Sequence, residues 1–187
     1  MIAYKGFEPG LVCRNYQFRM GLNVTDKANG GQNGFHCAED PLDCLNYYGD
    51  MENSEYWLVD AGGDVNEDGD DSKISCTELT IIKQLTKMEF FIHALAFMVD
   101  HPKREWSSRV VKDKANAYRG YAVVRGRDPV ACGNLGDILA FAKEDAHGNV
   151  IQIALTTVDG DKIKPDVWYK LEDGEFVECM EDAKDGN

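Results

Sequence analysis

The chain contains 187 residues, of which 43% are hydrophobic and 28% are charged, and this composition fits one large globular domain or two small ones. Its 33 acidic residues outnumber its 20 Lys and Arg residues, so the formal net charge at pH 7 is −13. A surface of this charge repels nucleic acid and anionic membranes, and it favours a basic protein as a partner.

The first predicted elements are short. Residues 2–7 alternate weakly between apolar and polar side chains, which predicts a strand, and residues 16–20 are predicted to pair with it. Asp40 is a suitable N-cap and Pro41 a suitable first residue for a short helix. This helix is expected to run to Tyr48.

Two strands and one long helix are predicted next. Residues 56–59 and 74–84 have the β-branched and aromatic content typical of strands. Residues 87–100 are predicted to form a long core helix that ends before Pro102. Its apolar face comprises Phe90, Phe91, Ala94, Leu95 and Met98. We therefore expect an N-terminal α+β domain over residues 1–102, with mostly short antiparallel strands around one long core helix.

A second, β-rich domain is predicted over residues 103–187. Its first part, residues 103–133, contains recurring Ala and Gly residues that favour a short β-roll. Eight basic residues lie there: Lys103, Arg104, Arg109, Lys112, Lys114, Arg119, Arg125 and Arg127. Residues 134–179 are predicted to form hairpins, with tight turns at 145–149 and 172–174.

The cysteines favour buried thiols over disulfides or a metal site. The six are Cys13, Cys37, Cys44, Cys76, Cys132 and Cys179, and no Cys-x-x-Cys pair occurs. His36 precedes Cys37, and with Cys13 and Cys44 nearby they would form a metal site or a nucleophile–base pair; packing in the core is the favoured interpretation. We expect no catalytic residue, no metal and no cofactor.

An acidic loop partly matches a calcium site. Oxygen-bearing side chains alternate from Asp64 to Asp70 around Gly69, as in the first half of an EF-hand loop. The twelfth position is Ser75 where the EF-hand needs a bidentate Glu, so the sequence favours a solvated acidic turn.

Charge is concentrated between residues 39 and 78, where thirteen acids accompany one base, Lys73. Acids spaced along one face would imitate a phosphate backbone, although a merely solvated face is the simpler interpretation. The residues predicted to bind a basic partner are Glu52, Glu55, Asp64, Glu67, Asp68, Asp70 and Asp71. Arg119, Arg125 and Arg127 are predicted to contact nucleic acid held by that partner.

Three segments resemble a family of phage and prophage proteins. They are Gly34-Phe35-His36-Cys37 with Pro41–Tyr48, then Asp70–Ile74, then Val158–Tyr169 with Asp173-Gly174. Longer members of that family insert Ala/Gly-rich β-roll repeats between the two ends. The resemblance implies a mobile-element origin and supplies no active site.

Three functions follow as hypotheses. Size, acidity and the phage resemblance are similar to those of anti-CRISPR inhibitors, which implies a non-enzymatic protein that blocks an RNA-guided nuclease of the bacterial host, in the cytoplasm and away from membranes. Tyr4-Lys5-Gly6 and Gly34-Phe35-His36 faintly resemble strands of ADP-ribosyltransferases, which makes a nucleotide-transferring enzyme the alternative. A structural or accessory virion protein is the third hypothesis.

Overall fold

The computed structural model describes residues 1–26, 34–67 and 72–179. The chain divides into two compact units: unit 1 holds Met1–Phe97 with Ser107–Arg109, and unit 2 holds Met98–Trp106 with the chain from Val110 onward. Strands account for 53% and helices for 12% of the structure. The fold is therefore β-rich, and the predicted α+β class was wrong. Within the described ranges, no helix is long and apolar enough to cross a membrane.

Unit 1 is built on an antiparallel sheet. Its elements are β1 (Ile2–Phe7), β2 (Val12–Cys13), β3 (Tyr16–Gln17), β4 (Gly21–Val24), β5 (Phe35–Ala38), a 3-10 helix (Pro41–Asn46), β6 (Glu55–Glu67), β7 (Lys73–Leu85) and helix α1 (Lys87–Asp100). The strand order is β4-β7-β5-β1-β6, and β6 also pairs with β7. The pairings thus link β1, β5, β7 and β6 into a closed ring. The segment at 16–20 does not pair with β1, because β3 forms a small hairpin with β2.

The interior of this ring is the core of unit 1. Alternate residues of a strand point to the same face of a sheet, and Ala3 and Phe7 of β1 are fully buried. They pack with inward residues of the other strands, including Phe35, Cys37 and Cys76. Lys5 lies between Ala3 and Phe7 on the same face of β1. Its side chain is therefore in a core position of the sheet.

Helix α1 was predicted at residues 87–100 and is confirmed there. Its N-terminus is closed by a capping box, in which the Glu89 amide donates to Thr86 Oγ1 at 3.1 Å and the Thr86 amide donates to Glu89 Oε2 at 2.9 Å. Phe90 and Phe91 are fully buried. Phe90 stacks on Tyr56 of β6 with the ring centroids 4.3 Å apart, so the helix is part of the core although it does not set the fold class.

Unit 2 is a six-stranded sheet. Its strands are β8 (Val110–Asn116), β9 (Tyr121–Cys132), β10 (Ile138–Glu144), β11 (Val150–Thr157), β12 (Trp168–Glu172) and β13 (Glu175–Cys179). The order is β11-β10-β9-β12-β13, and β8 also pairs with β9. The β10–β11 and β12–β13 hairpins turn where the Gly-containing segments predict. β8 and β10 both pair with β9 in parallel, with Val110 beside Val123 and Ile138 beside Tyr121. The short β-roll expected over residues 103–133 stays a prediction.

Candidate ligand-binding site

Unit 1 contains a cavity of about 280 Å³. β1, the β2–β3 turn, β5, the 3-10 helix with the residues after it, and the start of β7 all contribute to its wall. Three cationic side chains, Lys5, Arg14 and Lys73, line it together with two carboxylates, Glu8 and Asp43. Three tyrosines, Tyr4, Tyr47 and Tyr48, are also part of the wall. The cationic side chains of the wall thus outnumber its carboxylates by one, in a protein of net charge −13.

Lys5 is the most unusual of these residues, because its side chain is only 4% exposed. Its Nζ donates to the His36 carbonyl oxygen at 2.7 Å and lies 3.7 Å from Cys13 Sγ. The rings of Phe7 and Phe18 lie 5.1 Å and 5.4 Å from the ammonium, within the range of cation–π attraction. Among the residues that the structure describes, no carboxylate forms an ion pair with Lys5. No described carboxylate is thus at ion-pair distance from the Lys5 ammonium, although Glu8 and Asp43 line the same cavity.

Tyr48 is held close to β1 by a glycine. A Cβ at position 6 would lie 2.5 Å from Tyr48 Cδ2, so Gly6 allows the tyrosine ring to lie directly on the backbone of the strand. In this position the Tyr48 hydroxyl donates to Cys13 Sγ at 2.9 Å. Burial and this hydrogen bond raise the pKa of Tyr48, so the hydroxyl remains a donor at neutral pH.

Buried carboxylates organise the other side of the cavity. Asp40 caps the 3-10 helix by accepting the Leu42 amide at 2.9 Å, as the sequence predicted for this N-cap. Asp43 Oδ2 accepts from both the amide and the hydroxyl of Ser72, at 3.0 Å and 2.7 Å. These bonds tie the 3-10 helix to the start of β7, where Lys73 extends over the ring of Tyr47. Two of the thirteen acids between residues 39 and 78 are therefore interior residues with structural roles.

The structure brings together the four residues that the sequence had suggested as a cluster. His36, Cys37, Cys44 and Cys13 all line the cavity. Within the described part of the chain they do not form a group able to hold a metal ion. Burial raises the pKa of Cys44 to about 12, and the hydrogen bond shared with Cys76 raises the pKa of Cys37. Both are therefore protonated core thiols, and Cys13 is the half-buried one.

The acids predicted to bind a partner differ in their surroundings where the structure describes them. Glu52 is 82% exposed and pairs with Lys87. Glu55 is half-buried and accepts the Gly10 and Leu11 amides, so its carboxylate is engaged within the fold. Asp64 is exposed on β6. Glu67 is the last residue of β6, and Asp68, Asp70 and Asp71 lie outside the described residues. The start of the EF-hand-like segment is thus a strand, where an EF-hand would have a loop.

The three arginines predicted to contact nucleic acid have different environments. Arg119 and Arg127 are exposed. Arg125 is 2% exposed, and its Nε donates to Glu144 Oε1 at 2.7 Å while the Trp106 ring lies 4.6 Å from its guanidinium. The assignment of Arg125 as a nucleic-acid contact is therefore corrected to a structural role, because its charge is neutralised in the interior of unit 2.

Sequence reasoning missed Lys5, Tyr48 and Cys13 as a group. A usable signal existed for Lys5: in the run Ile2–Phe7, the residues two before and two after it, Ala3 and Phe7, are the apolar partners of its face. A charged residue on the apolar face of a central strand is either a mistake in the predicted register or a functional residue. No signal in the sequence places Cys13 beside Lys5, because that contact depends on the fold of the β2–β3 hairpin.

Comparison with known proteins gives one match. Residues 1–93 match the model of a domain of unknown function (DUF7666). No curated protein and no solved structure matches the chain. The matched segment includes all the residues that line the cavity. The cavity therefore lies within the matched segment, and unit 2 lies outside it.

Proposed function

We propose that unit 1 binds a small anionic molecule in the cavity, with a phosphate or carboxylate group at Lys5. The observation that supports this is the buried Lys5 ammonium, which lines the cavity and has no carboxylate partner among the described residues. Burying a charge without a counter-charge is costly, whereas an anion in the cavity would provide the missing partner. Arg14 and Lys73 would add to the attraction for the anion.

The cavity also limits the size and nature of the ligand. A volume of about 280 Å³ is close to the lower end of ligand pockets, which suits a metabolite-sized molecule. The tyrosines supply ring faces, so a ligand with an aromatic part is compatible with the wall. This proposal also supports the alternative of a nucleotide-transferring enzyme, since Tyr4–Gly6 and His36, from the two segments of that resemblance, line the cavity.

Isothermal titration calorimetry with four defined probes tests the proposal: inorganic phosphate, pyrophosphate, adenosine 5′-monophosphate and adenosine. We expect the phosphorylated probes to bind and adenosine to bind at least tenfold more weakly. Lys5→Met should weaken phosphate binding by about tenfold to a hundredfold, because a hydrogen bond to a charged group is worth about 1.5–3 kcal/mol. Lys87→Met, which removes an exposed lysine of the same unit, is the matched control and should bind like the parent. Absence of binding by all four probes, or equal binding by the Lys5 variant, would contradict the proposal.

A second proposal rests on charge. The concentration of acids between residues 39 and 78 supports binding to a basic host protein, and with the phage resemblance it favours an anti-CRISPR-like inhibitor that acts on an RNA-guided nuclease in the bacterial cytoplasm. Glu52 and Asp64 are the exposed members of the predicted set within the described residues. Arg119 and Arg127 remain the candidates for contact with nucleic acid held by that nuclease.

The test of this second proposal is a DNA-cleavage assay with a purified RNA-guided nuclease. Addition of the protein should reduce cleavage, and the inhibition should decline as salt rises, because exposed charges are screened beyond about 8 Å at physiological ionic strength. Changing Asp64, Glu67, Asp68, Asp70 and Asp71 to Lys should abolish inhibition, whereas changing Glu181 and Asp182 to Lys should not. Unchanged cleavage at low salt would refute inhibition of that nuclease.

A further inference from the structure

Cys13 differs from the other thiols in its surroundings. It is half-buried and lines the cavity, and it receives two polar contacts on sulfur: the Tyr48 hydroxyl at 2.9 Å and the Lys5 ammonium at 3.7 Å. Four other cysteines are buried: Cys37, Cys44, Cys76 and Cys132. Cys179 is also half-buried, but it belongs to unit 2 and does not line the cavity.

The local fold fixes this thiol beside the anion position. Cys13 ends β2, and the two residues that follow, Arg14 and Asn15, turn the chain into β3 with φ values of 49° and 64°. Two successive residues with positive φ are typical of the type I′ turn of a two-residue hairpin. The turn places Arg14 at the cavity directly after Cys13. A group bound to Lys5 would therefore have the Cys13 thiol close by, and Arg14 is a further cation in the same cavity wall.

We propose that Cys13 is a nucleophile that attacks an electrophilic carbon of a small anionic substrate, with an acyl phosphate as the substrate class. This inference rests on the proposed anion site at Lys5. In the reaction, the sulfur of Cys13 forms a bond to the acyl carbon and the bond from that carbon to the phosphate oxygen breaks. The phosphate leaves with the electron pair and takes up the proton released by the thiol. Lys5 and Arg14 hold the phosphate while it leaves, and the product on the protein is a thioester.

The distances suit this reaction. The bridging oxygen of an acyl phosphate, at hydrogen-bond distance of about 2.8 Å from Lys5 Nζ on the side that faces Cys13, would be near the sulfur, which is 3.7 Å from the same nitrogen. The acyl carbon is bonded to that oxygen and would then be within reach of the sulfur. The Tyr48 hydroxyl fixes the sulfur from the other side, and Gly6 fixes Tyr48. Thiol, anchor and positioning hydroxyl thus come from three segments that the fold brings together.

Competing alkylation of the native protein by iodoacetate and iodoacetamide tests the nucleophile. The two reagents carry out the same step, in which sulfur displaces iodide and the thiol proton is released, but only iodoacetate is an anion. Peptide mapping by mass spectrometry gives the rate at each cysteine, and the ratio of the two rates cancels any difference in thiolate fraction. Cys179 is the internal reference. It is a demanding reference because it too has lysines, Lys114 and Lys170, that interact with it electrostatically.

We expect the iodoacetate-to-iodoacetamide ratio to be about tenfold higher at Cys13 than at Cys179, the value of one charge-assisted hydrogen bond. Inorganic phosphate should lower the ratio at Cys13 in the unmodified protein, a measurement that needs no variant. Lys5→Met should lower it to the level of Cys179. Tyr48→Phe keeps the ring on Gly6 and should slow both reagents at Cys13 alike. Equal ratios at Cys13 and Cys179 would overturn the proposal, as would a ratio that neither phosphate nor Lys5→Met changes.

Two further measurements separate this inference from the anion site itself. Incubation with acetyl phosphate should acetylate the Cys13 peptide, and the modification should be released by hydroxylamine, as expected of a thioester. Absence of that product would overturn the assignment of acyl phosphates. Calorimetry with inorganic phosphate on the unmodified protein measures the anion site alone. If phosphate binds but alkylation at Cys13 is ordinary, the nucleophile is wrong and the anion site stands; if phosphate does not bind at all, the proposed function is wrong.

Discussion

Replacing Glu144 by leucine should strongly destabilise unit 2, because it leaves the Arg125 guanidinium buried without its carboxylate. The two side chains are 2% and 13% exposed, and the Nε to Oε1 distance is 2.7 Å. Removing one partner of a buried ion pair typically costs about 3–5 kcal/mol. The remaining contacts of Arg125, to the Pro102 carbonyl oxygen at 2.8 Å and to the Trp106 ring, are uncharged and do not replace the lost carboxylate.

Urea unfolding followed by tryptophan fluorescence measures this cost. A Trp57→Phe background restricts the signal to Trp106 and Trp168, which both belong to unit 2. The control is Lys143→Met, which removes the neighbouring pair with Asp128 at 3.3 Å.

That neighbouring pair is 25% and 86% exposed, and exposed pairs contribute about 0–1 kcal/mol. Arg125→Met should destabilise unit 2 less than Glu144→Leu does. The arginine variant removes the buried charge, whereas the glutamate variant leaves that charge buried without a partner. If Glu144→Leu cost less than about 1 kcal/mol, the structural role assigned to Arg125 would be refuted, and this arginine would again be a candidate for contact with nucleic acid.

Three further predictions concern unit 1. Phe91→Ala should cost about 3–5 kcal/mol in urea unfolding, because the side chain is fully buried and its removal leaves a cavity; a cost below about 1 kcal/mol would show that helix α1 is peripheral. Gly6→Ala should displace Tyr48, whose ring lies where the new methyl group must go, and should slow alkylation of Cys13 in the same way as Tyr48→Phe; unchanged alkylation would show that the hydroxyl contact is unimportant. Hydrogen bonds from Lys83 and Thr86 lower the pKa of Glu89 to about 2 from 4.5, so its contribution to stability is present above pH 4.5 and is lost as pH falls towards 2. Glu89→Gln should therefore be less stable than the parent at pH 7 and equally stable near pH 2, and a difference that persisted at pH 2 would contradict this origin.

The fold class was predicted wrongly because local sequence patterns underestimate the length of long strands. Residues 56–59 were predicted as a strand of four residues, whereas β6 runs from Glu55 to Glu67. The added segment is rich in Asp and Gly, which disfavour strands locally. Its pairing with β7, where Val65 lies opposite Cys76, outweighs that preference. The register shifts between Gly62 and Val65, and Gly63 adopts a φ of 69°, so the glycines mark a bulge within a continuous strand.

Elements that depend on local chemistry were predictable. Asp40 and Pro41 start the 3-10 helix, and the hairpin turns of unit 2 coincide with the predicted glycine-containing segments. The cavity was not predictable, because its wall combines residues from five separate segments between Tyr4 and Lys73. Contacts of that kind follow from sheet topology, and the order β4-β7-β5-β1-β6 cannot be deduced from alternation alone.

Lys5 affects both the stability of unit 1 and its proposed anion binding, and the variant Lys5→Met tests both. Replacing a buried, incompletely neutralised charge by an apolar side chain of similar length is often neutral or stabilising by about 1–4 kcal/mol, although the His36 carbonyl oxygen loses its donor at a cost of about 1–3 kcal/mol. Lys5→Met should therefore melt within a few degrees of the parent protein or above it. Inorganic phosphate, which stabilises the folded state of any protein that binds it by mass action, should raise the melting temperature of the parent and leave that of the variant unchanged. If the protein is less stable with lysine than with methionine at position 5, anion binding explains why the lysine is there. If Lys5→Met instead melted far below the parent and phosphate shifted neither protein, Lys5 would be a structural residue, and the anion site would have to be abandoned.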